Sequence, residues 1–144
     1  MSIFPFITPI TTESQNQELE VFKEYAYDFD NNCLKFKNNT NYLVEKNEAL
    51  KIWIYKALHT ERFRFIAYTH DYGNEVHTLI SKSINNDIIY SEIKRFICEA
   101  LLVNPYIVEL TEFEFQTSKS YVKVSFYVKT IYGSMSYFVD WGDL

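Results

Sequence analysis

Glycine is scarce in this 144-residue sequence, with three residues at positions 73, 133 and 142, and cysteine is scarcer, with two. So few glycines exclude the loops that cradle phosphate groups, and with them a nucleotide site of the usual kind. No Gly-x-Ser-x-Gly elbow is present, and neither cysteine stands in a motif suited to nucleophilic catalysis. Cys33 and Cys98 match neither zinc-ligand spacing nor a redox pair, so they read as buried free thiols, with no disulfide framework. Basic residues never run beyond two in a row and the net charge is −5, which removes the electrostatic footprint of a nucleic-acid binder. No apolar run is long enough to span a bilayer, and Met1 to Ile10 lacks the pattern of a signal peptide. The expected partners therefore include neither nucleic acid nor membrane, and the expected site of synthesis is the cytoplasm.

What the sequence has in plenty is aromatic side chains, with 12 Tyr and 12 Phe, against an ordinary 47% of apolar and 23% of charged residues. Aromatic residues favour strands, and tyrosines beyond the needs of one small core suggest surfaces that partners cover. The length suits one domain. Residues 1–20 read as an extended arm, with Pro5 and Pro9 among polar residues and no sustained period. Its apolar residues Ile3, Phe4, Phe6 and Ile7 have no use in a solvated tail, so the arm is expected to dock on this domain or on a neighbour. Residues 21–144 form the single domain.

Within it, Tyr25, Tyr27 and Phe29 alternate with polar positions, as do Leu34 and Phe36, across the turn formers Asp30 to Asn32. That pattern is a hairpin, and a short strand at 42–44 follows. Leu50, Trp53, Ile54, Ala57 and Leu58 make the stripe of an amphipathic helix over 48–58, for which Asn47 can serve as N-cap. A short strand over 63–68, a turn at Asp71-Tyr72-Gly73-Asn74 and a short helix over 75–81 come next. Ile89, Ile93, Phe96, Ile97, Ala100 and Leu101 repeat the helical stripe over 87–103, with Pro105 to stop it. Phe113 and Phe115, then Val122, Val124, Phe126 and Val128, alternate with polar residues as a long C-terminal hairpin, and a last strand runs from Met135 to Val139 through Tyr137. The fold class is α+β: a small antiparallel or mixed sheet on two main amphipathic helices. Alternation puts Tyr127 and Tyr137 on the surface.

Chemistry-bearing clusters are few. His70, Asp71, Glu75 and His77 lie close in sequence, but their spacing is no known ligand pattern and reads as a solvated surface. Glu61 and Asp71 could pair as glycosidase carboxylates. The commoner arrangement is Glu61 bound to a nearby arginine, with Glu61 and Arg62 tying the end of the first helix to the next strand. Trp53, Tyr55, Phe63, Phe65 and Tyr68 have mostly core spacing. No catalytic, cofactor or metal residue is assigned.

Four stretches carry a resemblance: 47–58, then Thr60-Glu61-Arg62-Phe63-Arg64, then Tyr68 through Glu75, and Glu99-Ala100-Leu101-Leu102-Val103-Asn104-Pro105-Tyr106-Ile107. They are similar to a family of baseplate proteins of Bacillus-type and clostridial contractile-tailed prophages, over Tyr25 to Gly133. That family resembles the wider sheath-initiator group, sometimes called lysozyme-like, which also occurs in bacteriocins and secretion machines. The group's Gly-Glu-Arg turn stands here as Thr60-Glu61-Arg62, its Pro-x-Phe/Tyr-Gly as His70-Asp71-Tyr72-Gly73, and its Glu-Pro-Arg as Asn104-Pro105-Tyr106, with both charges lost.

The resemblance implies a scaffold: six copies around the tail hub and tube, bound to wedge proteins and offering strands to the sheath protein. Val122, Val124, Phe126, Val128, Met135 and Tyr137 mark the strands expected to dock the sheath. Glu61, Arg62, Tyr72, Gly73 and Pro105 mark structural turns. A small regulatory protein-binding domain of the same fold is the alternative, and a cell-wall lysozyme a more distant one. Sheet edges left free by the hairpin and last strand suit strand addition, which needs no catalytic group.

Overall fold

The computed structural model describes residues 18–60, 72–73, 86–117 and 121–142. The arm residues Ile3, Phe4, Phe6 and Ile7, the Glu61–Arg62 turn, the 63–68 strand, the 75–81 helix and the histidine-carboxylate cluster lie outside them. The architecture is α+β, with every strand pairing antiparallel among the described residues.

The chain enters through a twisted ribbon. Strand β1 (Lys23–Tyr25) pairs with β6 (Leu43–Glu45), and the same line of chain continues as β2 (Tyr27–Asp28), which pairs with β3 (Cys33–Leu34). The Ala26 N–H joins the two pieces through the Tyr42 carbonyl. Between them a finger projects, made of β4 (Phe36–Lys37) and β5 (Thr40–Asn41). Asn38 and Asn39 close it with φ of 52° and 61°. Two successive left-handed residues are what a tight two-residue hairpin of matching twist requires, and asparagine tolerates them. The expected hairpin is thus present, with a second one inserted into it. Cys33 is exposed in the ribbon and Cys98 partly buried in a helix; both thiols are free, but neither is fully buried as expected.

Helix α1 (Lys46–Leu58) begins earlier than its stripe predicts. Glu45 holds the N-cap position without a side-chain cap, and Asn47 lies inside the helix instead. The Asn47 amide is recruited elsewhere: its Oδ1 accepts the Thr130 hydroxyl at 2.6 Å. Leu50, Ile54, Ala57 and Leu58 are buried as the stripe requires, while Trp53 is half-buried. Ala49 and Ile52 are buried too, because the ribbon covers a second flank of the helix. Helix α2 (Asn86–Leu101) buries Ile93, Phe96, Ile97, Ala100 and Leu101.

Pro105 does not itself end α2. The helix closes at Leu101, and Pro105 sits exposed in a following turn in which the Ile107 N–H donates to the Asn104 carbonyl. Asn104 is 5% exposed, and its Oδ1 accepts the Tyr106 N–H at 2.9 Å. Asparagine first and proline second is the residue order such a turn favours. Tyr72 packs edge-on against Trp53, and Gly73, buried at φ +95°, occupies backbone space that a side chain would strain.

The C-terminal part is a three-stranded meander of β7 (Ile107–Thr117), β8 (Tyr121–Thr130) and β9 (Gly133–Gly142), with β8 in the centre. The last strand is ten residues long and extends past Val139 through Asp140 and Trp141. The inner face of the sheet presents Val124, Phe126, Val128, Tyr137, Val139 and Trp141 to both helices, forming one core. Full burial of each such side chain contributes about 2 kcal/mol. The Trp141 indole N–H reaches the Leu58 carbonyl at 3.3 Å and ties the sheet to the end of α1.

Candidate functional site

Only the outer strands of a three-stranded sheet can accept another strand, and here the two are unlike. Strand β7 departs from regular pairing twice, between Ile107 and Glu109 and between Thr111 and Glu114, each time with one extra residue. Strict alternation would turn Glu109 and Thr111 inward with Ile107. The two irregularities re-phase the strand so that Ile107, Leu110, Phe113 and Phe115 all reach the core side, at the cost of a left-handed Glu112 (φ 55°). Puckered in this way and carrying Glu109, Glu112 and Glu114, the β7 edge is a poor template for pairing.

Strand β9 is its opposite. Ten successive pairs with β8, from Thr130↔Gly133 to Tyr121↔Gly142, run without a shift. The two-residue turn at Ile131 and Tyr132 makes Thr130 and Gly133 the closing hydrogen-bonded pair of the hairpin. Gly133, at φ +123°, lets the chain leave that turn straight into the strand. Alternation then points the main-chain N–H and C=O groups of Ser134, Ser136, Phe138 and Asp140 away from β8. Among the described residues nothing pairs with them. Phe138 is 63% exposed on the solvent face, under the Lys123 ammonium at 5.1 Å.

Beside this edge lies a pocket of about 390 Å³. Five consecutive β9 residues, Ser136 to Asp140, form one wall, and the other is built from Phe29, Lys51, Tyr55 and His59. Lys51, Tyr55 and His59 recur every fourth residue and so line one row of α1. The Tyr55 and His59 rings stack at 4.2 Å, and Phe29 meets Tyr55 edge-on at 5.0 Å. The Tyr55 hydroxyl donates to Asn32 Oδ1 at 2.6 Å, which holds the ring against the ribbon. Two polar groups at the pocket have no counterpart among the described residues. Lys51 forms no ion pair, and the Tyr137 hydroxyl, on a side chain only 7% exposed, forms no hydrogen bond. Burial, with Tyr55 nearby, holds the Tyr137 phenol well above its ordinary range.

The residues expected to dock a sheath strand fall differently. Val124, Phe126 and Val128 are core residues on the central strand, both of whose edges are already paired. Val122 and Met135 are half-buried against the same core. Tyr127 is exposed as expected, but Tyr137 is buried, because its partner across the sheet is Phe126 and the two face inward together. The aromatic wall is not visible in the sequence, where Phe29 has the alternation of a strand residue and Tyr55 the spacing of a core residue. The available signal was the four-residue spacing of Lys51, Tyr55 and His59, off the apolar stripe of α1.

Among the described residues no three metal-ligating side chains cluster, and no helix is long and apolar enough to cross a membrane. A family model described as the contractile injection system sheath initiator matches residues 23–133. The chain is also 31% identical, over 136 residues, to the phage-like element PBSX protein XkdS of Bacillus subtilis (strain 168), which covers 94% of this chain and 93% of that protein.

Proposed function

This chain belongs to the contractile injection system sheath initiators, and from that premise we propose that it joins baseplate wedge proteins to the first sheath ring and starts sheath assembly by strand addition. The observation that carries the mechanism is the regular edge of β9, unpaired among the described residues. A strand of the sheath protein laid along Ser134 to Asp140 gains main-chain hydrogen bonds from groups that nothing among the described residues pairs with, and needs no catalytic residue. The bulged, acidic edge of β7 turns the incoming strand to β9 by elimination. Six copies would surround the hub and tube, assembled in the host cytoplasm and retained in the baseplate of the phage or phage-like particle.

The arm has a separate role in this reading. Ile3, Phe4, Phe6 and Ile7 bind a neighbouring baseplate protein, so deleting residues 2–20 leaves a folded domain that no longer enters particles. Normal incorporation of the truncated chain would remove that role.

Strand addition is tested by co-purifying tagged protein with separately expressed sheath protein, comparing wild type with Ser136→Pro. The substitution removes one edge-facing N–H and none of the bonds to β8, so the fold survives, as proline is tolerated at strand edges. Sheath retained by the wild type and lost by the folded variant supports the reading. Equal retention by both rules out the β9 edge.

A further inference from the structure

We propose that the pocket beside β9 is an anchor site for the incoming strand, taking a bulky apolar side chain and, two residues along on the same face, a carboxylate. The proposal rests on the strand-addition reading above and adds to it which sequence the edge selects. A strand paired with β9 presents alternate side chains to the two faces of the sheet, about 7 Å apart along each face. Those on the core side enter the space between β9 and α1, the pocket walled by Phe29, Tyr55 and His59. At about 390 Å³ it is large enough for an aromatic or branched aliphatic side chain, and the Tyr55–His59 stack offers it a flat wall.

Two observations set the polarity of the occupant. Lys51 stands in the lining without an ion pair among the described residues. Tyr137, 7% exposed, lines the same space, and its hydroxyl has no hydrogen-bond partner among the described residues. An ammonium and a phenol O–H are both donors; Lys51 is exposed and left to water, whereas the Tyr137 donor is buried, where an unmade bond costs far more. A carboxylate satisfies both. Asp140 also lines the pocket, but alternation places its side chain with Ser136 and Phe138 on the solvent face of the sheet, so it meets the other row of the incoming strand. The selected segment is therefore extended, with an apolar and an acidic residue on one face, and no acid opposite Asp140.

The test measures sheath-protein affinity for the full chain and its variants by titration. Lys51→Glu and Tyr55→Ala are each expected to weaken binding about tenfold or more, as loss of a desolvated charge partner or an aromatic anchor does. Lys51→Arg keeps the cation and is expected to bind as the wild type does. Tyr137→Phe weakens binding severalfold while leaving thermal stability unchanged or raised, an opposition that a merely structural tyrosine does not produce. If Lys51→Glu and Tyr55→Ala bind like the wild type while Ser136→Pro abolishes binding, the pocket is overturned as an anchor and strand addition stands. Failure of the wild type to bind sheath overturns both.

Discussion

At the scale of single residues, several side chains do work that their sequence neighbourhood does not announce. Thr130 is 5% exposed, and its hydroxyl joins three parts of the chain: it donates to Asn47 Oδ1 at 2.6 Å, lies 2.9 Å from the Gly133 carbonyl and accepts the Tyr132 N–H at 3.1 Å. Thr130→Val keeps the shape and deletes this hub, so a loss of about 2 kcal/mol is expected in urea unfolding, while Thr130→Ser retains most of it. Tyr137 supplies a pH signature. Its folded-state ionisation is shifted upward by burial, so the associated stability is intact below about pH 10, the unfolded phenol range, and is lost as pH rises beyond it. Tyr137→Phe should flatten the fall in melting temperature above pH 10, and an unchanged slope would assign that fall to other groups. The two thiols separate by access: Cys33 is exposed, whereas burial raises the Cys98 thiol. A thiol reagent should therefore label Cys33 first and Cys98 much more slowly.

At the scale of elements, the parts of the fold governed by local periodicity were legible and those governed by distant packing were not. The apolar stripes predicted both helices, since Ile54, Leu58, Ile93 and Ile97 repeat at helical spacing and each is buried to the last few per cent. The start of α1 is not set by an Asn47 cap, because the Asn47 amide is claimed by Thr130, a partner 83 residues away. The inward turn of Tyr137 was missed because both rows of β9 carry an aromatic ring, Tyr137 in one and Phe138 in the other. Only pairing with Phe126 decides between them. Likewise, the docking strands were placed on the most regular apolar alternation, Val122 to Val128, which is regular because it is the buried centre of the sheet. Central and edge strands read alike in one dimension. Proline separates them in experiment: Val124→Pro removes the N–H that Val124 gives to Val139 in the buried centre of the sheet and should abolish folding, whereas Ser136→Pro should not. The Asn38-Asn39 turn offers a stabilising counterpart, since both residues are left-handed; Asn39→Gly should raise the unfolding free energy, measured in urea, by about 0.5 kcal/mol.

At the scale of the whole molecule, α1 is the shared member. The ribbon covers one of its flanks while β9 and α2 pack against others, so neither half keeps its core without the helix. Hydrogen exchange should accordingly be slowest in α1 and β8 and fastest in the β4–β5 finger, whose residues are all exposed. Equal protection of finger and central strand would contradict this division.

The contrast between the two borders of the C-terminal sheet gives the molecule a direction. A strip that can be extended from both sides has no first and last row, and copies of it stick to one another at random. With one smooth margin and one crimped margin among the described residues, the proposed growth would leave from one side alone, and two copies laid smooth margin to smooth margin would consume the surface from which each was to grow.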